Sequence, residues 1–169
     1  MPVRYCINCG TPLETRRIEG QDLLACATCD FVLWRDPKVV TLVAIETGGG
    51  LLLGRRGIEP GYGLWCLPGG FVNHDEHPSR AAARECREEV CAEVEITGLL
   101  GVYHIRKREA ASMVGIGYLA RLLPEQAPAP GDEMLELATF GPDELPDLAF
   151  PSHAEAVRDW RRIGEYQRR

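Results

Sequence analysis

Apolar positions along the chain change their spacing several times, and each change marks an element. Residues 39–45 (VVTLVAI) form an unbroken apolar run rich in β-branched side chains, which predicts a strand buried on both faces. A glycine-bearing turn at 47–50 follows, and LLLGRR (51–56) returns as a second strand. LWCLPGGF (64–71) predicts a third, with Trp65 and Leu67 alternating with Cys66 and Trp65 directed to the core. Ser79 opens a run of good helix formers, Arg80 to Arg87. Residues 92–105 alternate as one or two strands, 113–123 as another and 133–140 as a short one. Gly115 and Gly117 leave room there for a close approach. The polar stretch 106–112 and the proline-bearing stretch 124–131 connect them. Residues 152–163 place Ala156, Val157 and Trp160 on one stripe of a closing helix, with Ser152 as its N-cap. The arginines beyond it, Arg168 and Arg169, are expected to fray. Upstream, residues 15–20 and 21–26 pair as a short hairpin, and nothing in the chain repeats.

The predicted helix carries an unusual charge pattern. Glu85, Glu88 and Glu89 stand at i, i+3 and i+4, which puts three carboxylates on one face about 5–6 Å apart. Such a face repels itself unless something neutralises it. A hard divalent cation with oxygen ligands does so, and Mg²⁺ takes one or two carboxylates together with substrate phosphates. The alternative is a solvated acidic face with Arg84 and Arg87 as counter-charges. The wider stretch, GGFVNHDEHPSRAAARECREEVCA (69–92), decides between them. It resembles the signature of the Nudix hydrolases, with Gly70, Glu76, Arg84, Glu85, Glu88 and Glu89 on the pattern. Cys86 and Ala92 replace aliphatic positions. Cys91 replaces the closing glycine, which predicts a helix end that is harder to turn, because cysteine enters the left-handed backbone region less cheaply than glycine.

The resemblance implies an α/β fold, an α/β/α sandwich around a mixed sheet. It implies hydrolysis of a diphosphate that joins a nucleoside to another moiety, assisted by Mg²⁺ or Mn²⁺. Glu85 and Glu89 would be the first ligands, with Glu88 beside them and the carbonyl of Gly69 or Gly70 completing the set. Arg84 would orient the glutamates, and Glu76 would support the loop or reach the metal through water. Glu136, in LELATF, matches a downstream acidic position that serves metal or water in the family; an exposed strand carboxylate is the alternative. Glu88, Glu109 and Glu136 are the candidate general bases. Of the two arginines ending the second strand, Arg56 is the candidate for a phosphate contact, with a plain surface role as the alternative to either. Phe71, Tyr103, Tyr118 and Phe150 could supply the slot for a base or flavin ring, and His104 reads as a structural histidine.

The first thirty residues have a different logic. Cys6 and Cys9 form one CxxC pair, Cys26 and Cys29 another, with sixteen residues between them. That spacing is the pattern of a four-thiolate structural Zn²⁺ site. A segment so short buries little core, so the metal should supply much of its stability. A redox CxxC is the weaker reading, because two pairs stand at zinc spacing. A nucleic-acid ribbon is also weaker, because only Arg4, Arg16 and Arg17 precede the second pair. The division expected is a zinc ribbon over 1–36 and a Nudix domain over 37–169. A ribbon placed directly before such a domain, with PKVV, LLLGRRGIEPGYGLWCLPGGF, LELATF and LPDLAFP, resembles the ADP-ribose or FAD pyrophosphohydrolase group. The NADH pyrophosphatase and RNA-deNADding group shares the ribbon but carries a Ser-Gln-Pro-Trp-Pro-Phe-Pro motif, which the region after residue 92 lacks. A nucleotide-sensing module without activity is the third reading; the intact glutamates argue against it.

Composition narrows the partners. With 169 residues and 45% hydrophobic content the chain can bury a core without disulfides. A net charge of −6 disfavours holding a nucleic-acid backbone but suits a small anionic substrate brought to a cation. The seven cysteines, four of them at metal spacing, and the absence of an apolar leader or membrane-length run predict a reducing cytoplasm. The family resemblance suggests a homodimer.

Overall fold

In the computed structural model, residues 3–48, 50–106 and 112–167 are described. Glu109 and most of the predicted 106–112 connection lie outside them, as do the terminal arginines. The chain divides into two compact units, Met1–Pro37 and Lys38–Arg169.

The first unit is a three-stranded antiparallel sheet of β1 (Leu13–Ile18), β2 (Gln21–Cys26) and β3 (Val32–Leu33), in that order. The hairpin turns at Glu19 and Gly20, both at positive φ. Leu23, Ala25 and Cys26 are its buried apolar residues in β2, a very small core.

The second unit is built on a mixed sheet. β4 (Lys38–Thr47) lies at its centre, parallel to β8 (Ser112–Leu122) and antiparallel to β5 (Gly50–Arg56). β7 (Val94–Arg106) pairs antiparallel with β8, and β9 (Met134–Phe140) with β5. The predicted 92–105 stretch is thus one strand, carried through two register shifts. The unbroken apolar run of β4 is explained by burial on both faces. Leu42 and Ala44 point with Leu51 and Leu53 of β5 into one core, which α2 (Pro151–Gln167) covers with Ala156, Val157 and Trp160. Val43, Ile45 and Leu52 point the other way, against Ala82, Cys86 and Val90 of α1 (Pro78–Val90). One helix on each face of a mixed sheet is the expected α/β/α sandwich.

Three local expectations are corrected. The strand predicted over 64–71 survives only as β6 (Trp65–Cys66), paired with β5. Pro68 has no N–H to donate and Gly69 sits at φ +147°, so the ladder breaks there. The chain then crosses to β4, where Val43 N–H donates to Pro68 O at 2.8 Å and Thr41 N–H to Gly70 O at 2.7 Å. Second, α1 starts at Pro78, capped by the His77 side chain, which accepts from Ser79 N–H. α2 starts at Pro151, so Ser152 is already helical. Proline at the first helical position explains both shifts. Third, Tyr103 is no ring slot. It is 5% exposed, its ring fills the room above Gly117, and its hydroxyl donates to Asp159 at 3.1 Å.

The helix end raised by Cys91 is closed after all. Cys91 adopts the left-handed conformation at φ 48° and ψ 34°. The carbonyls behind it find donors in the proline-bearing connection: Ala129 N–H reaches Val90 O and Gly131 N–H reaches Glu89 O, both at 3.0 Å. A side chain at 131 would collide with the Glu88 carbonyl.

Candidate active site

α1 buries Ala81, Ala82, Cys86 and Val90, and with them Glu89, and brings Glu85 and Glu89 up to the Gly69–Gly70 turn. Arg84 organises the outer part of this face. Its Nε and Nη2 take both oxygens of Glu76 at 3.0 Å, Nη1 donates to Glu85 at 2.7 Å and to Glu88 at 3.0 Å, and Nη2 also reaches the Phe71 carbonyl at 2.9 Å. One guanidinium thus ties three carboxylates to the turn that precedes the helix, with the forked geometry that only arginine offers. The hydrogen bonds from Arg84 hold the Glu76 carboxyl below its usual range.

Glu89 lies apart from this network. It is 5% exposed and accepts from the Gly69 N–H at 2.8 Å. Burial pushes its carboxyl up to about 8; the neighbouring Glu85 and Glu133 carboxylates push the same way, and the Gly69 N–H and Arg56 oppose them. Glu85 is also shifted upward, chiefly by burial, against the pull of Arg84. A buried carboxylate without a cation of its own is costly. The donor set here, carboxylates with a nearby peptide carbonyl, is the hard oxygen set that Mg²⁺ or Mn²⁺ prefers.

The two glycines of the turn are required by close approach. A Cβ on Gly69 would lie 2.1 Å from the Thr41 carbonyl oxygen, and one on Gly70 would lie 2.5 Å from the Glu85 carboxyl. The Gly70 carbonyl is engaged by Thr41, which leaves that of Gly69 as the better placed of the two for a further ligand.

The remaining predicted residues fall around this centre. Glu136 stands opposite Arg55 in the β5–β9 ladder and pairs with it at 3.3 Å, both side chains about half exposed. Arg56 donates from Nε to Pro60 O at 2.8 Å and lies 5.0 Å from the centre of the Phe150 ring. Phe71 is exposed beside the Nζ of Lys38, 5.1 Å from its ring centre. Tyr118 packs against the core on the α1 side, and His104 is exposed on β7. Two residues near the centre were missed. Glu133 faces Glu85 and Glu89 electrostatically. His153, 7% exposed, accepts the Leu67 N–H. The acidic pair before β9 was a visible signal for Glu133; His153 had none.

In the first unit the thiols of Cys6, Cys9, Cys26 and Cys29 all lie within 4.8 Å of one another. Their closest separations, 3.5, 3.6 and 3.8 Å, match the about 3.8 Å edge of a tetrahedron with Zn–S bonds of about 2.3 Å. Asn8 N–H points to the Cys6 sulfur and Thr28 N–H to that of Cys26, the knuckle arrangement that stabilises thiolates. Thr28 is the main reason the Cys26 thiol is drawn down to about 6. Among the described residues this is the one cluster gathered so tightly; the helix glutamates spread, because Arg84 draws Glu85 and Glu88 while Glu89 turns to Gly69. Among the same residues no helix is long and apolar enough to cross a membrane.

Known proteins are similar to this chain in sequence and fold. A family model for the NUDIX domain matches residues 35–160. An ADP-ribose pyrophosphatase of Methanocaldococcus jannaschii is 32% identical over 133 residues, 78% of each chain. A NUDIX hydrolase structure from Nitrosomonas europaea superposes with a TM-score of 0.80 at 33% identity, covering 92% of this chain and 89% of that one. The NAD-capped RNA hydrolase NudC of Pseudomonas fluorescens is 31% identical over 93 residues, 54% of this chain but 32% of its own. The signature on α1, the sandwich beneath it and these matches agree that the chain belongs to the Nudix family and is a pyrophosphohydrolase.

Proposed function

We propose that the protein hydrolyses a nucleoside diphosphate linked to another moiety, of the ADP-ribose or FAD type, to AMP and a phosphorylated product. The observation that carries this reading is Glu89: an acid held inside the protein near Glu85 and having, among the described residues, a peptide N–H and no side-chain cation as its hydrogen-bond partner. Glu85, Glu88 and Glu89 would hold Mg²⁺ or Mn²⁺, with the Gly69 carbonyl. Such a cation, when bound, neutralises the diphosphate and acidifies a water. Arg84 and Glu76 keep Glu85 and Glu88 in place and return the turn to the helix, so positioning comes from the fold rather than from the substrate. Arg56 lies at the end of β5 as a cation for substrate phosphate. Of the four candidate rings, that of Phe71, next to Gly70, is the most exposed and so the most open to a base or flavin ring. Of the candidate bases, Glu88 and Glu136 are exposed and open to a reacting water, and Glu109 completes the set to be tested.

The ribbon, over 1–36, is read as a structural Zn²⁺ unit before a catalytic domain over 37–169. The similarity to the ADP-ribose pyrophosphatase spans far more of that relative than the similarity to the NAD-capped RNA hydrolase does of its own. That favours the small-molecule substrate. The test is incubation with ADP-ribose, FAD and NADH in Mg²⁺, with AMP identified as product. AMP from ADP-ribose or FAD in preference to NADH supports the reading; preference for NADH moves the protein to the other group. Tight nucleotide binding without turnover on any of them makes it a sensor.

A further inference from the structure

The segment that opens α2 does more than cover the sheet. Ala149 N–H donates to Trp65 O at 2.8 Å, Leu148 bridges to Trp65, and two residues further along Leu67 N–H donates to Nδ1 of His153 at 3.0 Å. The strand that leads into the Gly69–Gly70 turn is thus held from one side by residues 148–153. From the other side it is held by β4, through Val43 to Pro68 and Thr41 to Gly70. Leu67 and Pro68 are fully buried, so no water can replace a lost partner. The next N–H along the chain is that of Gly69, the one that binds Glu89.

His153 is itself fixed. Its ring lies 5.0 Å from that of Phe150, which in turn carries the Arg56 guanidinium at 5.0 Å. Because an amide N–H can only donate, Nδ1 must be the bare nitrogen of a neutral ring. Burial, with the charge of Arg56 behind it, keeps the ring neutral down to about pH 3, so the acceptor is present under all working conditions.

We infer that His153 is a positioning residue for the Nudix site. By holding Leu67 it sets where Gly69 presents its N–H, and so holds the Glu89 carboxylate in the geometry that takes a divalent cation. The inference rests on the reading that Glu89 is a metal ligand. A partner bonded directly to a metal ligand is worth about 10- to 100-fold in affinity or activity, and His153, which acts through the Leu67–Gly69 backbone, falls at or below the lower end of that range.

The test uses the full-length, zinc-replete protein. His153→Leu removes the acceptor. His153→Asn restores it, because its side-chain oxygen sits where Nδ1 does, whereas His153→Gln places its oxygen one bond farther out. Three readouts are taken: Mn²⁺ binding by electron paramagnetic resonance without substrate, hydrogen exchange at the Leu67 and Gly69 amides, and kcat against KM for ADP-ribose. The expected result for His153→Leu is Mn²⁺ binding weakened up to about 10-fold, faster exchange at both amides, and a fall in kcat with KM little changed. His153→Asn recovers most of this and His153→Gln less. Unchanged Mn²⁺ binding and Gly69 exchange in His153→Leu, with only a lower Tm, would overturn the inference and leave a packing residue. Should His153→Leu not fold, equal behaviour of the Asn and Gln variants would overturn it, and the order Asn above Gln would sustain it. Failure of wild-type protein to bind Mn²⁺ would count against Glu89 as ligand, while the exchange data would still report on His153.

Discussion

The two units gather their candidate metal ligands in opposite ways. In the ribbon, four thiols converge within 4.8 Å although almost no apolar core surrounds them. In the Nudix unit, two cores flank the sheet and the acidic residues stay spread, two tied to Arg84 and one pointed at Gly69. In the first, a metal would stand in for a core; in the second, a core makes a place that a metal would occupy. A closed tetrahedral set has no position left for a reactant, and an open, oxygen-rich set does.

The largest effect should come from attacking the ribbon. Cys26→Ser, or stripping zinc, should unfold this unit outright, since zinc contributes on the order of 10 kcal/mol to units of this kind. Loss of the dispersed amide signals of residues 3–37, with those of the second unit unchanged, would confirm the contrast; an intact ribbon would abolish it. Glu89→Gln should do the reverse. Turnover should fall about 10³-fold, about 4 kcal/mol of transition-state stabilisation, while the fold persists. Near-normal kcat/KM would remove Glu89 from the metal set.

A smaller effect sharpens the same point through pH. The Glu89 carboxyl is raised from 4.5 to about 8 in the folded protein, so the unfolded chain releases this proton first. In the magnesium-free protein its contribution to stability is therefore fullest below about pH 4.5 and is lost as pH rises to about 8, by at most about 1.4 kcal/mol per unit. Thermal unfolding across this window should show the decline, Mg²⁺ should offset it at the alkaline end, and Glu89→Gln should flatten it. The smallest effect concerns the helix end. Cys91→Gly should raise stability by about 0.5–1 kcal/mol in denaturant unfolding, since Cys91 already occupies a left-handed conformation. A loss of stability would mean that its side chain packs usefully.

How much of this could be read from residues alone follows from sequence distance. The thiol spacing, the two-faced strand β4 and the acidic helix are local patterns, and each showed itself as such. The inward turn of Glu89 escapes a reading that sets all three glutamates on one face; its place three residues after Cys86 and seven after Ala82, which α1 buries, is what separates it from Glu88. Glu85, three residues before Glu88, lies farther round. The break at Pro68–Gly69 was obscured because the stretch does run extended, only changing neighbours from β5 to β4 midway. Ser152 looked like a cap because its type suits one, but Pro151 before it already has helical φ. His153 and Glu133 reach the site from 86 and more than 40 residues away along the chain, and no local pattern reports a hydrogen bond such as that from Leu67 to His153.

The way the chain crosses the end of α1 limits what can be done to it. Ala129 and Gly131 give up their amides to the last helical carbonyls, and position 131 tolerates nothing beyond hydrogen. Loop swaps between relatives at this connection would have to preserve residues 129–131 as a fixed clasp and confine any change of length to 124–128. Random insertion libraries across the gene should therefore show a sharp gap in survivors at 129–131 beside a tolerant stretch just ahead of it.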